Sequence, residues 1–236
     1  VYVFNDLFDL AADRAHATKR RRPLAAGELP LAAATCLATL LMLVGIAVGL
    51  AADTGVALVV GGYVVLNAAY TTWIKRQAVY DVFCLAALYT LRIVAGAVAA
   101  AVALSPWLVA FSVFAFLSLA LLKRAADLCR LEGDAPLPGR GYLARDASFV
   151  NGLGMTSAVA ACLVLAMYVA GDQVTTLYTQ PLWLWGMVVI MLLWFARVWH
   201  LAMNGAMDDD PVLFATRDAA SWVSLIAIVG CAVLAM

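Results

Sequence analysis

The stretch Asn5-Asp6-Leu7-Phe8-Asp9-Leu10-Ala11-Ala12-Asp13 sets three carboxylates three and four residues apart, with Asn5 four residues before Asp9. On a helix these spacings stack the polar groups along one face, a turn apart. His16 carries the stripe three residues further. Stacked carboxylates repel one another unless a cation sits among them. Carboxylate and amide oxygens suit a hard cation such as Mg2+, which keeps some waters and takes other ligands from phosphate. Lys19-Arg20-Arg21-Arg22-Pro23 follows one short step on, and cations beside a metal site make a phosphate clamp. A plainer reading has the acids capping a helix and the basic run flanking a membrane. Carboxylates next to a bilayer are costly, however, and call for an explanation.

Composition says which solvent surrounds that stretch. Of 236 residues, 66% are hydrophobic and 13% charged, and mean hydropathy is +0.95. A soluble domain holds roughly 45–50% apolar and ~25% charged residues. The chain is therefore polytopic in a membrane. Zero net charge gives no case for nucleic acid. The five cysteines form no CxxC pair and lie mostly in apolar runs, as small core or lipid-facing residues. No signal peptide stands out. Only four residues precede the acidic stretch and no initiator Met is present. A spanning helix needs ~20 residues, so the expectation is an N-terminally truncated chain whose first helix starts within the membrane.

Apolar runs follow at 31–52, 56–74, 80–103, 107–122, 151–170, 181–199 and 219–236, making seven full spans after the partial one. Turns are expected at 53–55, 104–106 and 171–180, and Pro106 suits a helix start. Nearly all Lys and Arg lie in the loops at 14–30, 75–79, 123–148 and 197–218, and none in the alternate turns. That alternation places the basic loops and the acidic stretch on the cytoplasmic side. Runs of this length make the fold all-α, a membrane helical bundle read as one domain over 1–236.

Ionisable groups in or near spans are functional suspects. Arg92 is the deepest, either a structural pair for a carboxylate or a phosphate contact. Asn67 and Tyr70 share a face, and Lys75 ends the same span, so Tyr70 and Lys75 suit a phosphate. Asp81 is read equally as a helix N-cap or a cation ligand. Lys123, Arg124 and Asp127 form a second cluster, with Arg140, Tyr142, Arg145 and Asp146 in the loop beyond. Asp208-Asp209-Asp210 reads as a solvated loop before a Pro-started helix rather than a cation site. His200, after Trp199 at a span end, reads as interfacial. No Ser-His-Asp set, Gly-rich nucleotide loop or zinc spacing stands out.

Asn5-Asp6-x-x-Asp9-x-x-x-Asp13, followed by His16, Lys19 and Arg22-Pro23, resembles the first motif of the UbiA superfamily of intramembrane prenyltransferases. Tyr70 and Lys75 resemble its Tyr/Lys motif. The resemblance implies a nine-helix fold around a central cavity, here lacking the first helix and half of the second. It implies transfer of a prenyl group from a polyprenyl diphosphate to an acceptor, usually aromatic, with Mg2+ as cofactor. Asn5, Asp6, Asp9 and Asp13 would hold Mg2+, with Asp9, Asp13 and Lys75 catalytic. Lys19, Arg22, Tyr70, Lys75, Arg92, Lys123, Arg124 and Arg140 would contact phosphate. The site would face the cytoplasm from a bacterial inner membrane.

One departure bears on the substrate. Where the superfamily has a second Asp-x-x-x-Asp motif, this chain reads Lys123-Arg124-Ala125-Ala126-Asp127, leaving Asp127 alone as the second metal ligand. That pattern resembles the decaprenyl-phosphate phosphoribosyltransferases of the same superfamily. Their donor is phosphoribosyl pyrophosphate and their acceptor a lipid phosphate. A transporter is the reading from another class. It should carry polar groups through the midplane and often shows repeats. Here the charges gather at one face apart from Arg92, which favours the enzyme.

Overall fold

Apolar runs of this length leave no choice but helices, because backbone polar groups in lipid must pair within their own segment. The computed structural model describes residues 2–15, 19–131, 135–207 and 211–236. His16 and the run Asp208-Asp209-Asp210 lie outside the described residues. Among those described, every regular element is helical apart from one isolated β-bridge. The chain divides into two compact units, Val1–Cys84 with Leu91–Leu104, and Leu85–Thr90 with Ser105–Met236.

In the first unit, α1 (Tyr2–Phe8) and α2 (Leu10–Ala15) carry the acidic stripe, with Asp9 at the break between them. The i→i−4 pattern survives the break, since the Asp9 amide donates to the Asn5 carbonyl at 2.9 Å and the Asp13 amide to that of Asp9 at 2.8 Å. The stripe therefore stays stacked. Next come α3 (Leu31–Ala52) and α4 (Thr54–Thr72), joined by Asp53 alone. The sequence predicts a three-residue turn here. Instead the Asp53 carboxylate accepts the Gly55 amide at 2.6 Å and caps α4 at once. At the other end of α4 a single 3-10 turn, Ile74–Arg76, leads to α5 (Tyr80–Ala99). Val79 precedes α5 with φ 72°, the left-handed region that a β-branched residue adopts only under strain. α1 packs on α3 and α4.

The second unit holds α6 (Pro106–Cys129), α7 (Ala147–Val169), α8 (Asp172–Leu177), α9 (Leu184–Met203), α10 (Pro211–Arg217) and α11 (Ala219–Ala235). Pro106 opens α6 as expected. α6 runs on to Cys129 instead of stopping at 122, because Arg124, Ala125, Ala126 and Leu128 are buried there. The turn expected at 171–180 contains the short helix α8. α10 and α11 meet at a bend of 82°. Asp218 holds that bend. It accepts both Arg197 guanidinium N–H groups at 2.7 and 2.9 Å, and the Ser221 amide at 2.8 Å.

Six of these helices (α3, α4, α5, α6, α7 and α9) are long and apolar enough to cross a membrane, and the α10–α11 pair makes a seventh if it is one span. The seven expected spans fall on these elements. Leu40, Leu43, Val48 and many other large apolar side chains point outward, as lipid-facing residues do.

Trp199 is only 2% exposed. Its indole N–H donates to the Ser118 hydroxyl at 3.0 Å, tying α9 to α6. Its ring fills the space over Gly154 of α7, where an added Cβ would fall 2.2 Å from the ring. Gly154→Ala must therefore move an indole that is hydrogen-bonded in place. Overpacking of this kind costs about 1–3 kcal/mol. A lowered Tm in detergent is expected for Gly154→Ala, and an unchanged Tm would contradict this packing.

Candidate functional site

Two cross-helix pairs define the site in the first unit. The Thr71 hydroxyl donates to the Asn5 side-chain oxygen at 2.7 Å, and the Lys75 ammonium donates to the Asp9 carboxylate. Both pairs join residues 66 apart in sequence. A constant offset means that the acidic helix runs parallel to, and in register with, the end of α4 and the 3-10 turn that follows it. Asn5 and Asp9 are four apart, and so are Thr71 and Lys75. The pairs therefore form a ladder with one helical turn between rungs. Thr71 and Lys75 are both buried, so each reaches its partner from a fixed position.

A second set of contacts comes from the basic loop. The Arg22 guanidinium bridges Asp6 and Asp13, at 2.8 Å to each. The loop turns back to allow this. Leu24 is buried beneath it, the Ala26 amide donates to the Arg22 carbonyl at 2.8 Å, and Gly27 takes φ 82°, which glycine does without strain. Asp13 is 4% exposed. A carboxylate that deep needs its guanidinium. Lys19 starts a 3-10 turn, Lys19–Arg21, and its side chain is not among those described.

The three carboxylates are thus matched by two cations of the chain itself. Among the described residues, no three acidic, histidine or cysteine side chains converge closely enough to hold a metal as they stand. The donor set is nonetheless all hard oxygen on one helix face, which fits Mg2+.

The other expected residues divide. Tyr70 is buried at the same end of α4 as the ladder. Asp81 is fully buried in the first turn of α5, whose N-cap is Val79, so Asp81 is not the N-cap. Arg92 does not join the ladder. It donates to the Tyr63 hydroxyl at 2.7 Å. Tyr63 lies eight residues before Thr71 on α4, about 12 Å along the helix.

In the second unit, Arg124 is 2% exposed and donates to the Asp127 carboxylate at 3.2 Å. The loop beyond is a small hairpin, in which the Leu137 amide donates to the Tyr142 carbonyl at 2.8 Å and Tyr142 is buried. Asp146 accepts the Leu143 amide at 2.8 Å and so serves the turn into α7. Lys123 and Arg140 are half-buried and Arg145 is exposed.

Thr71 was not legible as a site residue, although its four-residue spacing from Lys75 repeats that of Asn5 and Asp9. Tyr63 carried no signal either. Its role follows from contact with Arg92.

The fold and sequence are similar to those of known proteins. The fold is similar to a solved UbiA homolog from Archaeoglobus fulgidus bound to GPP and Mg2+, with a TM-score of 0.71 and 16% identity over 100% of this chain and 82% of that one. At that identity the likeness concerns the fold alone. An uncharacterised protein of Sinorhizobium fredii is 41% identical over 94% of this chain, and the chain spans 43% of that protein's length. The nodulation protein NoeC of Azorhizobium caulinodans is 34% identical over 96% of the chain and 74% of its own length. A decaprenyl-phosphate phosphoribosyltransferase of Mycolicibacterium smegmatis is 27% identical over 98% of the chain and 74% of its own length. The model of the UbiA prenyltransferase family matches residues 1–225, so the membrane helices, the acidic ladder and its basic partners are those of a chain that belongs to the UbiA prenyltransferase family.

Proposed function

We propose that the protein is a Mg2+-dependent membrane transferase that expels pyrophosphate from its donor at the Asn5–Asp13 stripe, on the cytoplasmic side. The observation that carries this reading is the ladder itself. Hard oxygen donors and two cations share one small site at the end of a membrane span, and phosphate chemistry needs both. The strict alternation of basic loops supports the cytoplasmic placement.

The reaction breaks the C–O bond between the donor carbon and pyrophosphate and forms a C–O bond to the acceptor oxygen. Bound Mg2+ would supply electrostatic stabilisation of the leaving pyrophosphate. Asn5, Asp6, Asp9 and Asp13 would hold it, with Thr71 fixing the Asn5 amide, as groups behind metal ligands do. Lys75 and Arg22 would turn from the carboxylates to the pyrophosphate oxygens and offset charge as the bond breaks. Tyr70 stands at the same end of α4 as this cluster.

For the donor we favour phosphoribosyl pyrophosphate, with a polyprenyl phosphate as acceptor. Asp127 is the single acid of its cluster and is already engaged by the buried Arg124, which disfavours a second full metal site. The phosphoribosyltransferase relatives point the same way. The other reading within the family is transfer of a prenyl group to an aromatic acid. With the protein in detergent and Mg2+, polyprenyl phosphate plus radiolabelled phosphoribosyl pyrophosphate should move label into the lipid phase. Prenylation of an aromatic acid in a parallel tube would select the other donor. Activity in neither tube would count against the proposal.

A further inference from the structure

We propose that Arg92, Tyr63 and Tyr2 form a second anion site, deeper than the acidic ladder, that takes the oxyanion head of an apolar acceptor. The inference rests on the transferase reading above, and it names a binding site for the second substrate.

Arg92 lies twelve residues into α5, about 18 Å from its start on a helix of roughly 30 Å. A guanidinium at that depth is retained for a purpose. The Tyr63 hydroxyl accepts from Nη2 at 2.7 Å, the guanidinium lies 5.5 Å from the Tyr63 ring centroid, and Tyr2 of α1 lines the same cavity. The Tyr63 contacts orient a fork whose geometry matches a phosphate or carboxylate.

The surroundings complete the site. These three residues line a cavity of about 500 Å³ whose other walls are Val59, Val60, Leu91 and Ala95. A charged fork at one point of an otherwise aliphatic cavity suits a molecule with one anionic end and an apolar body. A polyprenyl phosphate and an aromatic carboxylate both have that form. The position also fits transfer. Tyr2 stands one turn before Asp6 on the acidic helix, and Tyr63 two turns before Thr71 on α4. An anion held at Arg92 is thus offset by about 12 Å along the helix from pyrophosphate held at the ladder, which leaves room for the reacting carbon between them.

The test separates acceptor binding from turnover. Binding of a short polyprenyl phosphate is measured with EDTA present, so that the ladder is not loaded, for the wild type, Arg92→Gln and Tyr63→Phe. Loss of a charge-assisted pair should weaken binding at least about tenfold in Arg92→Gln, and loss of the phenol a few-fold in Tyr63→Phe. Parallel arms use an aromatic carboxylate and inorganic phosphate. Arg92-dependent binding of either amphiphile supports the site and names its preferred head, and inorganic phosphate should bind far more weakly than both. In turnover, Arg92→Gln should raise the acceptor KM and leave the donor KM unchanged. Equal amphiphile binding by wild type and Arg92→Gln, or phosphate binding as tight as the amphiphiles, overturns the inference even where transfer proceeds. A misfolded Arg92→Gln leaves Tyr63→Phe to decide, and unchanged binding there also overturns it. Arg92-dependent binding without transfer from any donor would instead fault the transferase reading.

Discussion

Asp9→Asn is expected to lower turnover on the order of 10³-fold while the protein stays folded and inserted. Asp9 is central in the stripe, at the break between α1 and α2, and its carboxylate is the partner of Lys75. Asparagine keeps the shape and one acceptor but removes the charge. A metal contact of this kind contributes several kcal/mol to the transition state, and each ~1.4 kcal/mol is tenfold in rate. The Asp9 side chain is 38% exposed, so the effect on folding should be small beside the effect on rate. Steady-state kinetics with a parallel melting curve separates the two. Full activity contradicts the metal-site reading. A collapse of helical signal would mean that the pair holds the fold instead.

Lys75→Met should move two observables in opposite directions. Turnover should fall roughly 10²-fold, because a donor aimed at the leaving pyrophosphate is gone. Divalent-metal affinity without donor should rise, by roughly fivefold, because the metal no longer competes with an ammonium for Asp9. That figure takes a part-exposed pair at about 1 kcal/mol. Methionine suits the buried stem of Lys75. Calorimetry of metal binding checks the rise. Lower affinity in Lys75→Met would mean that the lysine positions Asp9 for the metal rather than standing in its place.

These expectations show what the chain discloses before it folds. The spans were legible because hydropathy and loop charge are properties of segments, and the membrane leaves helices as the answer. The acidic stripe was legible because its contacts are set by spacing within one helix. Lys75 was legible only as a phosphate candidate at the end of its span; its pairing with the stripe was not, and neither was Thr71. Its bond to Asn5 depends on the register of two helices 66 residues apart, which no local pattern encodes. Arg124 looked like a phosphate ligand beside Lys123. Neighbours on a helix face about 100° apart, and that rotation buries Arg124 against Asp127 while leaving Lys123 half-buried. Arg92 was legible as an anomaly of depth, but its partners were not. The strained Val79 is invisible in sequence, since nothing local marks a valine for positive φ.

The most direct measurement is Mn2+ binding, followed by electron paramagnetic resonance, in the presence of pyrophosphate. The account predicts that wild-type protein binds Mn2+ and that pyrophosphate tightens it. Both effects should be lost in Asp6→Asn and in Asp9→Asn. Equal Mn2+ binding by the variants and the wild type would contradict the claim that this stripe holds the metal and its leaving group.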